Sequence, residues 1–320
     1  MKILFSATII SAVLSISTLA NAFIADTDTA LLVPANALVA PFDATSDHQS
    51  YALASNTSDS TDVSTHWSFW GEDCTHLADV SICLTRHDTI VVDVTDIHAV
   101  SKDNKIGGTA INLTGKRGTI VATAFETNDD CDPAVDGTKL VEDVIVGSFH
   151  IANTKTGASF GGNMLGLGTD GGQTVLPLAS DQSPLTIQTF RPDTLTDSEV
   201  ILLAMREGAG AIAGEVGPLN GKSTDETLVR AGVSFFDTTE VRTSLPDVEI
   251  SCALFTSMID GLIPSTITPS SSGVVELSDF NLITDGVVSS DTSGVFVYGF
   301  HGQEVGRYAT MNYATFRPGR

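Results

Sequence analysis

Two short segments place sulfur and imidazole close together: Cys74-Thr75-His76, and Cys83 followed by His87. Two thiols and two imidazoles are the ligand set of a structural zinc site. The same cysteines can also bridge, and Cys-x-His is not the spacing of a common zinc knuckle. With Cys131 and Cys252 the chain has four cysteines, which in an oxidising compartment favour disulfides over thiols. A local Cys74–Cys83 bridge across a hairpin is geometrically easy, and closing so short a loop is worth roughly 2–3 kcal/mol. It leaves Cys131 to pair with Cys252, or Cys252 as a buried thiol.

Other motifs spell chemistry without its context. Gly157-Ala158-Ser159-Phe160-Gly161 matches G-x-S-x-G, a pattern that needs a strand before the serine and a helix after it. Gly162-Asn163-Met164-Leu165-Gly166 is poor helix material, so no nucleophile is assigned to Ser159. Gly166-Leu167-Gly168-Thr169-Asp170-Gly171 spells G-x-G-x-x-G and lacks the following helix that a dinucleotide site requires. The glycines from Gly208 to Gly214 fail in the same way, and no catalytic residue is assigned. Asp129, Asp130, Asp132 and Asp136 form the densest acidic loop. Clustered carboxylates can hold Ca²⁺ through oxygen ligands, although Ala134 breaks the EF-hand spacing and a solvated loop is the plain alternative. No other cofactor is expected.

His66 and His150 alternate with apolar neighbours, while His48, His98 and His301 are scattered. All are expected at the surface or at a rim. Trp67, Phe69, Phe235 and Phe236 are expected to fill a core, where each buries a large apolar area. Trp70 shares a polar face with His66 and Ser68, so Trp70 and His66 are the pair best placed to touch a ligand such as a glycan.

The elements that must carry these residues are strands. Val63, Thr65, Trp67 and Phe69 alternate with Ser64, His66 and Ser68; Val80, Ile82 and Leu84 alternate with Asp79, Ser81 and Cys83. Further strands are expected at 89–94, 118–125, 144–151, 185–190, 199–206, 229–236, 247–254, 273–277, 294–300 and 308–316, with one helical turn near Phe255 to Leu262. Polar turns such as Ser55-Asn56-Thr57-Ser58-Asp59 separate them. Many short strands with one apolar face predict an all-β fold of antiparallel sheets packed as a β-sandwich. The halves also resemble each other. Ser68-Phe69-Trp70 aligns with Ser234-Phe235-Phe236, and Asp79-Val80-Ser81-Ile82 with Asp247-Val248-Glu249-Ile250, each pair an aromatic strand, a polar turn and a return strand. Two related sandwich halves in tandem follow, at 23–160 and 161–320.

Residues 1–22 read as a secretory signal peptide: Lys2, an apolar stretch from Ile3 to Leu14, and Ala20-Asn21-Ala22 before cleavage. Beyond it no apolar run approaches the ~20 residues of a spanning helix, so no membrane span is expected in the mature chain. Asp and Glu number 39 against 16 Lys and Arg, a formal charge of -23. That balance excludes nucleic acid as a partner and suits salty surroundings, where carboxylate repulsion is screened.

The runs His66-Trp67-Ser68-Phe69-Trp70, Cys74, Leu77 to Thr85, Arg117 to Phe125 and Gly147 to Asn153 resemble a pattern in exported, β-rich bacterial proteins of unassigned function. The resemblance implies export and strands; it transfers no activity. Together these observations lead to the expectation of an exported non-enzymatic β-sandwich protein. It would act as a structural or adhesion-like interaction component in the periplasm, at the cell surface or outside the cell, with a protein or glycan as partner. The competing expectation is an exported carbohydrate- or ester-active hydrolase drawing its acids from the Asp and Glu residues.

Overall fold

The structure is a computed structural model that describes residues 34–97, 111–127, 138, 140–155, 159–170, 173–174, 185–189, 199–221, 227–237, 241–257, 261–264, 273–284, 287–288, 293–301 and 308–316. The signal segment, Cys131, His98 and the Asp129–Asp136 loop lie outside the described residues. The fold is all-β, with antiparallel sheets that do not close into barrels.

The first unit runs β1 (Ala37–Asp43), β2 (His48–Asn56), β3 (Val63–Gly71), β4 (His76–Leu84), β5 (Thr89–Asp93), β6 (Arg117–Glu126), β7 (Ile145–Asn153), β8 (Ser159–Asn163) and β9 (Leu165–Leu167). Sheet I has the order β5-β2-β7-β8, and sheet II the order β4-β3-β6-β1-β9. Strand β9 therefore joins β1 from beyond residue 160. A small ribbon of β10 (Thr169–Asp170) and β11 (Gln173–Thr174) follows. The second unit runs β12 (Leu185–Thr189), β13 (Glu199–Glu207), β14 (Val216–Pro218), β15 (Thr227–Asp237), β16 (Arg242–Ile250), β17 (Ala253–Ser257), β18 (Gly273–Thr284), β19 (Val287–Val288), β20 (Ser293–His301) and β21 (Tyr308–Phe316). Sheet III places β17 and β14 along one edge of β13, followed by β20 and β21; sheet IV has the order β12-β18-β15-β16, with β19 on β18.

The two units share one connectivity. In sheet II the order β4-β3-β6-β1 matches β16-β15-β18-β12 of sheet IV, and β5-β2-β7-β8 of sheet I matches β17-β13-β20-β21 of sheet III. Both aligned segments are antiparallel hairpins, β3–β4 and β15–β16. The return strands differ in register: Ile82 sits opposite Thr65, but Ile250 sits opposite Val229. That slip of one side-chain pair absorbs the two extra residues of the second hairpin.

The sheets stack in the order I, II, III, IV. Leu38, Ala122, Trp67 and Phe69 line the face of sheet II that meets Ala52, Ala54 and Phe149 of sheet I; the Phe42 and Phe69 rings meet edge to face at 6.3 Å. Trp67 is fully buried and its indole donates to Thr65 Oγ1 at 2.9 Å. Strand β13 divides its side chains between two cores. Ile201, Leu203 and Met205 join the core of the first unit, and Val200, Leu202 and Ala204 join that of the second. A continuous apolar run such as Val200 to Met205 is what a strand covered on both faces requires.

Strand β1 was invisible to alternation for the same reason: Ala37 to Phe42 is buried on both faces. Its Pro41 is tolerated because β9 pairs only with Ala37 to Val39, so no neighbour on that side needs the missing N–H. The strand expected at 247–254 is in fact two. The chain leaves sheet IV after Ile250 and enters sheet III at Ala253, breaking at Ser251-Cys252. Of the helical turn expected near Phe255 to Leu262, Phe255 to Ser257 instead close β17, and residues 258–260 lie outside the described residues. Gly118 faces Gly71 across β3–β6, where a Cβ would lie 1.8 Å from the Trp70 carbonyl oxygen. Gly118→Ala is therefore expected to destabilise by about 1–3 kcal/mol or more through overpacking, read as a lower urea midpoint at unchanged slope.

Candidate site at the seam between the two units

The outward row of β3, Ser64, His66, Ser68 and Trp70, is not solvated as its polarity suggested. His66 is 2% exposed and Trp70 1%. What covers the row is sheet III and the glycine-rich segment that joins β13 to β14 and β15. Gly208 and Gly214 adopt φ of 73° and 81°, the left-handed region open to glycine. A Cβ on Gly217 would lie 2.4 Å from the Ala209 carbonyl, and one on Gly221 would lie 3.1 Å from the Trp70 ring. These absences of side chain let the segment fold tightly on itself and press against sheet II.

Glu215 is the group this segment delivers. It is 1% exposed, its Oε2 accepts from the Ile212 amide at 3.1 Å, and its Oε1 meets His66 Nδ1 at 2.9 Å. On the other side, His66 Nε2 lies 3.8 Å from Asp79 Oδ2, and His76 Nε2 lies 4.0 Å from the same oxygen. Trp70 packs against His76 with ring centroids 4.7 Å apart and donates from Nε1 to Ser68 Oγ at 3.0 Å. The His66 ring meets Phe125 edge to face at 6.5 Å. Thr119 and Thr123, on β6 opposite Trp70 and His66, have buried hydroxyls without a hydrogen-bond partner among the described residues.

A histidine oriented by a carboxylate is the wiring of a general base. Burial denies it a substrate, because neither the His66 ring nor the Glu215 carboxylate reaches solvent. A buried carboxylate–imidazole pair with backbone support is also a structural fastener, and this one joins β3 of the first unit to the β13–β14 connection of the second. The expectation of a surface His66 is corrected, and Trp70, sealed beneath the Gly221 backbone, cannot act as a glycan platform.

A covalent fastener lies beside it. Cys74 is bonded to Cys252, with Cα atoms 5.4 Å apart and 178 residues of sequence between them. This corrects both expected pairings, Cys74–Cys83 and Cys131–Cys252. The local bridge looked easy because Cys74 is in the hairpin turn. However, Cys74 has φ of 67°, and the β3–β4 turn lies against the Ser251-Cys252 crossover of the second unit. Cys83 is also disulfide-bonded. With Cys74 and Cys83 both oxidised, the thiolate pair that a zinc site would need is absent. Among the described residues no three His, Cys, Asp or Glu side chains converge to hold a metal.

Arg117 completes the seam: its Nε donates to Glu72 Oε2 at 2.6 Å and its guanidinium lies 5.0 Å over the Phe255 ring. Beside Cys74, the Thr75 amide donates to Asp73 and holds that carboxyl below its ordinary range, with burial opposing.

The remaining candidates stay apart. Ser159 opens β8 within a sheet, not a strand-to-helix elbow, and Gly166 to Asp170 runs through β9 and β10. His150 is exposed on β7, and half-buried His48 lies 3.3 Å from the Thr45 carbonyl and 3.9 Å from Asp43. His301 ends β20. Glu215 and Gly221 were missed by sequence reasoning; a single acid amid the glycines from Gly208 to Gly217 was the available signal. No family model matches the chain, and no curated protein matches it in sequence.

Proposed function

We propose that this chain is an exported, non-enzymatic β-sandwich protein that serves as a structural or interaction component of the cell surface or extracellular space. One observation carries the reading: His66, Trp70, Cys74 and Cys252, four of the described groups that looked capable of chemistry, are used to fasten one sandwich to the other. A disulfide spanning the two units suits an oxidising compartment, in keeping with the leader-like residues 1–22. Among the described residues no helix is long and apolar enough to cross a membrane. The acidic loop at Asp129 to Asp136 plays no part in this reading.

The test is a panel of immobilised glycans and extracellular-matrix proteins run beside a screen of glycoside and ester substrates. Saturable binding without turnover is the expected result. Turnover that survives purification, with no binding, would replace this reading with the hydrolase.

A further inference from the structure

The seam inside the chain is heterologous: the outer face of sheet II packs on the outer face of sheet III. Sheet IV has the connectivity of sheet II, and sheet I that of sheet III. The stack therefore ends, at sheet I and at sheet IV, in the two counterparts of its own internal contact. We propose that sheet IV of one chain docks on sheet I of a second copy, so that the protein assembles head to tail by repeating its internal seam. This rests on the structural reading above and gives it a partner. A heterologous contact that does not close on itself generates open arrays.

Side chains support the correspondence. On sheet II, Ser68 and Trp70 are two residues apart, and His76, opposite Trp70, packs at a tilt against its ring. On sheet IV the aligned positions are Ser234 and Phe236. Arg242, opposite Phe236, lies 5.9 Å over that ring and donates to Ser234 Oγ at 3.0 Å. A serine, an aromatic and a nitrogen-bearing side chain packed on the aromatic recur; Trp70 is buried in the first unit, whereas in the second Ser234 is buried but Phe236 is half-buried and Arg242 exposed. Val274, opposite Phe236 on β18, extends the patch.

Sheet I offers the complementary surface. Its outer row sets Leu53 between Val91 and Ser148, with Tyr51 and Val146 on the same face. Val91 is 43% exposed. The charge here is Asp93 opposite Tyr51, while the outward row of sheet IV carries Arg242, Glu276 and the Arg230–Glu249 pair, so the docked faces carry both signs in a chain of net charge -23.

The fasteners are missing from both ends in matching fashion. Gly232 replaces the aligned His66, and the short β2–β3 connection replaces the Glu215-bearing segment. The β15–β16 turn has no cysteine. Contact between copies thus lacks the fasteners of the seam and should be reversible.

Sedimentation velocity of the full chain over a dilution series tests this. Species larger than the monomer should grow with concentration. Leu53→Asp with Val91→Asp disables sheet I, and Phe236→Asp disables sheet IV. Each variant alone should need about tenfold or more higher concentration to self-associate, as expected for a central contact residue. An equimolar mixture of the two should form a dimer through the faces left intact. Should either variant lose its native circular dichroism, the exposed single changes Val91→Asp and Arg242→Glu take its place. A wild-type chain that stays monomeric throughout, a mixture without the dimer, or a one-face variant that still pairs with itself would each overturn the proposal. None of those outcomes would remove binding to a glycan or matrix protein, so the broader reading is judged separately.

Discussion

Replacing Cys74 and Cys252 together by Ser is expected to cost about 5 kcal/mol, the loop-closure entropy for a bond that spans 178 residues. A bridge between Cys74 and Cys83 would have been worth only about half as much. The larger figure follows from what the bond ties: a turn of the first unit to the sheet-to-sheet crossover of the second. Without it the unfolded chain can expand, so the urea slope should rise while the midpoint falls. One cooperative transition should remain, because Ile201, Leu203, Met205 and Val216 of the second unit belong to the core of the first. A midpoint that did not move on removal of the bond would mean that the seam alone fixes the two units.

Strand content was legible where one face is wet or where an apolar run stands between polar turns. Val80, Ile82 and Leu84 are buried and Asp79 exposed, as their alternation implied. The pattern misled where a polar row is covered by the other unit. Ser64, His66 and Ser68 look like a solvent face because their types are polar, yet all three are buried. Nothing local distinguishes a polar row facing water from one facing a second sheet that supplies a carboxylate. The seam is made by residues 149 positions apart, His66 and Glu215, and linear order does not encode such a meeting. The likeness of the two hairpins was legible, because Ser-Phe-aromatic and Asp-Val-x-Ile occupy strands at matching places in sheets II and IV. The stacking of the units was not, because the segment that seals them has no counterpart in the first unit.

Glu215→Ala tests what the buried pair does. Removing the carboxylate takes a buried partner from His66, and breaking a buried pair from one side costs about 3–5 kcal/mol. Glu215→Gln keeps the shape and an acceptor, so it should cost about 1–2 kcal/mol, the order of a single hydrogen bond. The informative variant is double. Substituting His66→Leu and Glu215→Met together removes both polar groups at similar volume, and such apolar replacements are commonly neutral or stabilising. Most of the single-variant loss should therefore be recovered, with a coupling of about 1–3 kcal/mol in the cycle. Urea unfolding of the four proteins reads it directly. Simple addition of the two single losses would show that His66 and Glu215 act independently, and that the seam is held by its apolar contacts and the disulfide instead.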